Sequence, residues 1–188
     1  MERAHLVKHL NDVIAPHGFR RRNLTWNRKS PPFTDVLELQ VSKSHDAVTL
    51  NAGVFDPDVY QQCWNSSAPA FVDEPMCVVR SRIGLISGNS DTWWSLEDPE
   101  ISQRVSTAVQ EDALPFLDNM HSRQAMLNFL IASNVEAKKY PPPIIYLALL
   151  MNLTGDIAGA CMTLNLLASR SLGEWRARVE AISRSLGC

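Results

Sequence analysis

The chain has 188 residues, 45% of them hydrophobic and 20% charged, with a formal net charge of −2; this is ordinary globular usage and excludes a collagen-like or largely disordered chain. Its length suits one domain, or one domain with a helical extension, and buries roughly two-thirds of the unfolded surface. The charge is uneven, with residues 1–30 at +5, residues 31–100 at −8 and residues 101–188 at +1, which would fit a basic patch, an acidic patch, or two blocks that face each other in the fold.

Glu2, His5, Lys8 and His9 interrupt the apolar core that a secretory signal needs. The longest apolar stretch, Ile144 to Met151, is too short to cross a bilayer. Cys63, Cys77, Cys161 and Cys188 form no CxxC pair and lack a secretory context, so four reduced thiols and a cytoplasmic protein are expected. Residues 3–16 set Leu6, Leu10, Val13 and Ile14 at helical spacing, and His17-Gly18 supplies the stop. A short strand is expected around Leu24 to Arg28. Then the period changes to two: Leu37, Leu39 and Val41 alternate with polar residues, and so do Val48, Leu50, Ala52 and Val54. The short polar link Lys43-Ser44-His45-Asp46 makes these two strands an antiparallel hairpin. Keeping both apolar faces on one side pairs Leu39 with Leu50, which sets Glu38 opposite Asn51 and Gln40 opposite Thr49 on a polar face.

A short helix near Pro57 to Trp64 and a strand from Met76 to Ile83 follow, giving a sheet of about four strands. From residue 98 the period is helical to the end, with Pro115 expected to kink or restart the first helix. Pro141-Pro142-Pro143 marks a boundary, and three helices complete the C-terminal third. The expectation is an α+β fold: a mainly antiparallel sheet packed with helices over residues 1–140, and a helical extension over residues 141–188.

Catalytic signatures are scarce. His5 and His9 stand four apart on a helix, but no third ligand or general base accompanies them, so neither a metal nor any other cofactor is expected. The serines lack a nucleophile elbow, the cysteines lack a catalytic signature, and glycine-rich phosphate loops are missing. Asp56-Pro57-Asp58 reads as a turn. Arg20-Arg21-Arg22 with Trp26, Arg28 and Lys29 is the composition of a single-stranded nucleic-acid groove, although the solvated face of an edge strand explains it as well. Trp93 and Trp94 are adjacent and cannot both enter one core, so one of them is free to line a groove.

Six short motifs in order resemble the family catalogued as domain of unknown function 4304, whose members are small bacterial proteins. They are Gly18-Phe19 with the strand ending in Arg28, Gln40-Val41-Ser42, Leu50-Asn51-Ala52-Gly53-Val54, Arg82-Ile83-Gly84, Trp93-Trp94 with Leu96, and Leu114-Pro115-Phe116. The resemblance covers roughly residues 5–130 and implies a fold but no mechanism. It also brings Arg82 to the polar face, because Arg82 points that way if Ile83 packs into the core. Gln40, Asn51, Arg82, Trp93 and Trp94 are therefore the candidate binding residues, offering amides, a guanidinium fork and aromatic rings. No catalytic residue is assigned.

The leading functional expectation is a non-enzymatic protein-binding module, such as an immunity-type inhibitor whose acidic middle block meets a basic toxin. The alternatives are an enzyme whose site is assembled only in the fold, and a nucleic-acid binder through Arg20 to Lys29.

Overall fold

The computed structural model describes residues 3–88 and 90–188. They divide into two compact units, Met1–Asp56 with Pro69–His121, and Pro57–Ala68 with Ser122–Cys188. The second unit takes in residues 57–68 because the helix there packs with later helices.

In the first unit, helix α1 (Arg3–Ile14) buries Leu6, Val7, Leu10 and Ile14 at the spacing of one helical face. A single 3-10 turn follows, and Gly18 ends it at φ 87°, a left-handed conformation that side chains with a Cβ adopt at a cost. The sheet then forms from β1 (Arg20–Arg22), β2 (Thr25–Ser30), β3 (Phe33–Val41) and β4 (Ala47–Phe55), each antiparallel to the next. Two more strands share the far edge of β4: β5 (Val79–Arg82) pairs with Asn51–Val54, and β6 (Trp94–Ser95) pairs with Ala47 and Val48. The sheet has six strands, because β1 and β6 add to the four that alternation reveals. Neither extra strand alternates: β1 is three exposed arginines and β6 is two residues long.

The hairpin register is the one that alternation predicts, with Leu39 opposite Leu50, Glu38 opposite Asn51 and Gln40 opposite Thr49. Leu37, Leu39, Val48, Leu50, Ala52 and Val54 on one face are at most 1% exposed, and each such side chain contributes about 1.5–3 kcal/mol by leaving water. Buried residues of α1, of α4 (Ile101–Ala108) and of α5 (Leu114–Asn119) complete this core. Between α4 and α5 the helix loosens into a π segment over Val109–Ala113 just before Pro115, which leaves the proline near the start of a fresh helical segment.

Asp35 is fully buried at the end of this face and accepts hydrogen bonds from Arg28 Nε at 2.7 Å and Ser30 Oγ at 2.8 Å, with His121 Nε2 at 2.8 Å. A buried carboxylate left without such partners would cost several kcal/mol. Half of the opposite face is closed by the segment after residue 68. Asn27 clamps the Val72 backbone through both its amide atoms, at 2.9 and 2.7 Å, and Gly53 admits Cys77, which a Cβ there would meet at 2.8 Å. Only the end carrying Glu38, Gln40, Asn51 and Arg82 remains partly open.

The second unit is helical: α2 (Pro57–Trp64), α6 (Arg123–Ala132), α7 (Pro141–Leu153), α8 (Ile157–Arg170) and α9 (Gly173–Ser185). Helix α2 starts at Pro57, so Asp56-Pro57-Asp58 is a helix start where the sequence suggests a turn. Every residue from Ile144 to Leu150 in α7 is buried, the pattern of a helix surrounded on all sides. No helix among the described residues is long and apolar enough to cross a membrane. Asp156 caps α8 by accepting from the Gly159 amide at 2.9 Å.

The expectation of four reduced thiols is corrected by a disulfide between Cys161 and Cys188. Helices α8 and α9 are joined by two residues and run back along each other, which returns residue 188 to the second turn of α8. Spacing alone does not reveal such a pairing. Cys63 and Cys77 are free and buried; desolvation pushes the Cys63 thiol up to about 12 and the Cys77 thiol well above its ordinary value. Without reductant, alkylation followed by mass spectrometry should therefore label no cysteine in the folded protein and two after unfolding, whereas reduction should expose four. Labelling of Cys161 and Cys188 without reductant would contradict this pairing.

Candidate functional site

The open end of the polar face is assembled by register. Asn51 on β4 lies opposite Glu38 on β3 and Arg82 on β5, so three strands deliver polar side chains to one surface. Asn51 Nδ2 donates to Glu38 Oε2 at 2.9 Å and to Gln40 Oε1 at 3.0 Å. Arg82 Nη2 donates to the same Gln40 oxygen at 3.3 Å. Its Nη1 meets both carboxylate oxygens of Asp91, at 2.7 and 2.6 Å.

Trp93 closes the arrangement. Its indole N–H donates to Asp91 Oδ2 at 3.1 Å, and its ring centroid lies 5.2 Å from the Arg82 guanidinium, a cation–π distance. Hydrogen bonds from Arg82 and Trp93 hold the Asp91 carboxyl below its usual range. Ser90, Asp91 and Thr92 are seated against Gly84, where a Cβ would lie 2.1 Å from the Ser90 carbonyl oxygen and 2.6 Å from Thr92 Oγ1. Glycine is required there by close approach, since its φ is unexceptional.

Beside this cluster is an open depression of about 390 Å³ lined by Asn51, Glu74, Arg80, Ser81, Arg82, Leu85 and Asp91. Glu74 is 3% exposed and paired to Arg80 through both oxygens, at 2.9 and 2.7 Å. Burial raises its pKa against the pull of Arg80. Neither histidine nor cysteine lines the depression. Its groups can hold an anion, an amide or a peptide backbone by hydrogen bonding.

Four of the five candidate residues, Gln40, Asn51, Arg82 and Trp93, therefore come together. Trp94 does not: it pairs with Val48 and lines a separate cavity of about 350 Å³ with Ile83, Glu100, Arg104 and Asp112. Asp91, Glu74 and Arg80 escaped the sequence reading. Asp91 had one legible signal, its place two residues before Trp93, while Glu74 and Arg80 meet only through folding. The His5/His9 pair gathers no metal site: His9 Nε2–H donates to Ser106 Oγ at 2.9 Å, because that hydroxyl already donates to the Ser102 carbonyl at 2.7 Å. Among the described residues, no three His, Cys, Asp or Glu side chains gather at metal-ligand distances.

Fold and site together define an α+β protein in which helices cover one face of an antiparallel sheet and a polar cluster occupies one end of the other. The profile of the Domain of unknown function (DUF4304) matches residues 10–119, more than half of the chain, and the chain belongs to that family. No curated protein and no solved structure matches it. The matched span holds all six strands and every residue of the cluster, and it ends before α6.

Replacing Gly84 with Ala should push the Ser90–Thr92 segment off its seat and lower stability by about 1–3 kcal/mol. It should also shift the Trp93 indole N–H signal in a ¹⁵N–¹H spectrum. Unchanged stability with an unchanged indole signal would contradict the seating described.

Proposed function

We propose that this chain is a non-enzymatic protein-binding module whose contact surface is the Gln40, Asn51, Arg82 and Trp93 cluster. The observation that carries the reading is the Arg82 fork, held in place by the Asp91 carboxylate, two amides and an indole ring beside an open depression. Arginine and tryptophan lead the side chains that dominate binding at protein interfaces, and a preorganised fork loses little freedom when a partner arrives. Leu85, 65% exposed at the edge of the depression, adds an apolar contact.

An immunity-type inhibitor in a bacterial cytoplasm is the finer form of this proposal, and its electrostatic support is reduced. Seven of the eleven carboxylates between residues 31 and 100 are paired with arginines: Asp35, Asp58, Asp73, Glu74, Asp91, Asp98 and Glu100. The acidic block is thus largely neutralised from within and offers a basic toxin less than the sequence suggests. The Cys161–Cys188 disulfide also weighs against a cytoplasmic location, because disulfides persist mainly in oxidising compartments.

A nucleic-acid groove through Arg20 to Lys29 has less support. Trp26 is fully buried and cannot stack on a base, Arg22 is held by Asp73, and Arg28 is held by Asp35 and Asp118. An enzyme assembled in the fold would have to use Glu74, whose pKa burial raises, with Ser81 in an open depression where Glu74 is already paired to Arg80 through both oxygens.

The test is affinity capture from a lysate of the source organism, comparing the wild-type chain with an Asn51→Ala/Arg82→Gln variant of matched folding. The proposal expects a specific protein retained by the wild type and lost, by at least about tenfold, from the variant. Equal retention by both, or no specific protein with either, would overturn it.

A further inference from the structure

A second group of charged residues in the first unit lies away from the cluster. An open cavity of about 690 Å³ is lined by Arg3, Ala4, Val7, Lys8, Asn11, Arg21, His45 and Leu96, without a carboxylate among them. Residues 3, 4, 7, 8 and 11 form one stripe of α1. Arg21 comes from the edge strand β1, His45 from the β3–β4 turn, and Leu96 from the residue after β6.

Seven arginines are held by acids, Arg22, Arg28, Arg80, Arg82, Arg104, Arg123 and Arg176, while Arg170 and Arg178 are held by backbone carbonyls and Arg20 and Arg184 form no ion pair among the described residues. Arg3, Lys8 and Arg21 form no ion pair among the described residues, in a chain whose net charge is −2. The nearest carboxylate in sequence to His45, that of Asp46, is turned to its own loop, where it accepts from Ser42 Oγ at 2.8 Å and Ser44 Oγ at 2.5 Å.

Hydrogen bonds fix Asn11 and the β3–β4 turn beside these cations. Trp26, opposite Arg21 in the sheet, donates its indole N–H to Asn11 Oδ1 at 3.2 Å, which leaves the Asn11 NH₂ as a further donor. The Leu96 amide donates to the Asp46 carbonyl at 2.7 Å and ties the β3–β4 turn to the end of β6. Two elements, α1 and β1, therefore bring three cations, and the β3–β4 turn brings His45, around an apolar floor of Ala4, Val7 and Leu96.

We infer that this cavity is an anion site for a phosphate-bearing small molecule, with Arg3, Lys8 and Arg21 on the phosphate and the apolar floor under the rest of the ligand. Three uncompensated cations and an amide donor match the charge and the acceptor oxygens of a phosphate. The volume lies within the range of small-molecule sites, about 300–1,000 Å³. With Trp26 buried beneath Arg21, the site has charge but no stacking platform, which favours a discrete phosphate ester over a nucleic-acid strand. The inference is independent of the Arg82 cluster.

The experiment is an NMR titration of the full chain with inorganic pyrophosphate at about 50 mM salt, where phosphate contacts are least screened. Saturable shifts are expected at the start of α1, at Arg21 and at Ser44–His45. Arg21→Gln and Lys8→Gln should each weaken binding by at least about fivefold at unchanged Tm, while Arg20→Gln, a neighbour on β1 outside the lining, should stay within about twofold. Absence of saturation by about 10 mM pyrophosphate would overturn the inference, as would equal losses for Arg20→Gln and Arg21→Gln. Single-stranded oligonucleotide binding that depends as strongly on Arg20 and Arg22 as on Arg21 would also overturn it.

Discussion

Strand β4 is hydrogen-bonded along both of its edges, to β3 over its whole length on one side and to β5 and β6 in succession on the other. The polar cluster hangs from that double pairing. Asn51 meets Glu38 and Gln40 because β3 is in register, it meets Arg82 because β5 is, and β6 brings Trp93 to the edge where Arg82 ends. A slip of one residue would turn Asn51 into the apolar core and Leu50 out of it, so burial of Leu39, Leu50, Ala52 and Val54 enforces the geometry of the cluster.

The same sheet explains why a chain with opposed charge blocks shows so few free acids. Antiparallel pairing of β2 with β3 sets Arg28 opposite Asp35, and the segment after residue 68 brings Asp73 to Arg22 of β1. Ion pairs at the surface contribute little to stability, but the buried Asp35 carboxylate depends on Arg28 and Ser30 for its hydrogen bonds. What remains unpaired is then informative, and the cations around the cavity beside α1 are the clearest remainder.

Much of this was legible in the sequence where a period of two or 3.6 coincides with burial on one side. The β3–β4 register, α1, and the helices after residue 141 follow from such patterns, and the polar face of Gln40 and Asn51 follows from the register. What was not legible has identifiable causes. Strand β1 is all arginine and β6 has two residues, so neither has a pattern to read. The covering of half the polar face depends on Asn27 grasping Val72 across 45 positions, and the disulfide depends on the turn between α8 and α9. Trp93 and Trp94 were separable as residues of different environments, but only pairing with Val48 shows which one faces Arg82.

The family motifs gain a physical reading from the same geometry. Arg82-Ile83-Gly84 and Trp93-Trp94, eight residues apart in sequence, form one structural unit: Gly84 seats the Ser90–Thr92 segment, and Arg82 holds Asp91 and Trp93. All of it rests on the placement of Asn51 between its two neighbours. The direct test is a cross-strand NOE map of β3, β4 and β5 in solution. The account predicts contacts of Asn51 with Glu38 on one side and Arg82 on the other, together with Val48 to Trp94. Contacts that place Leu50 or Ala52 opposite Glu38 would contradict it.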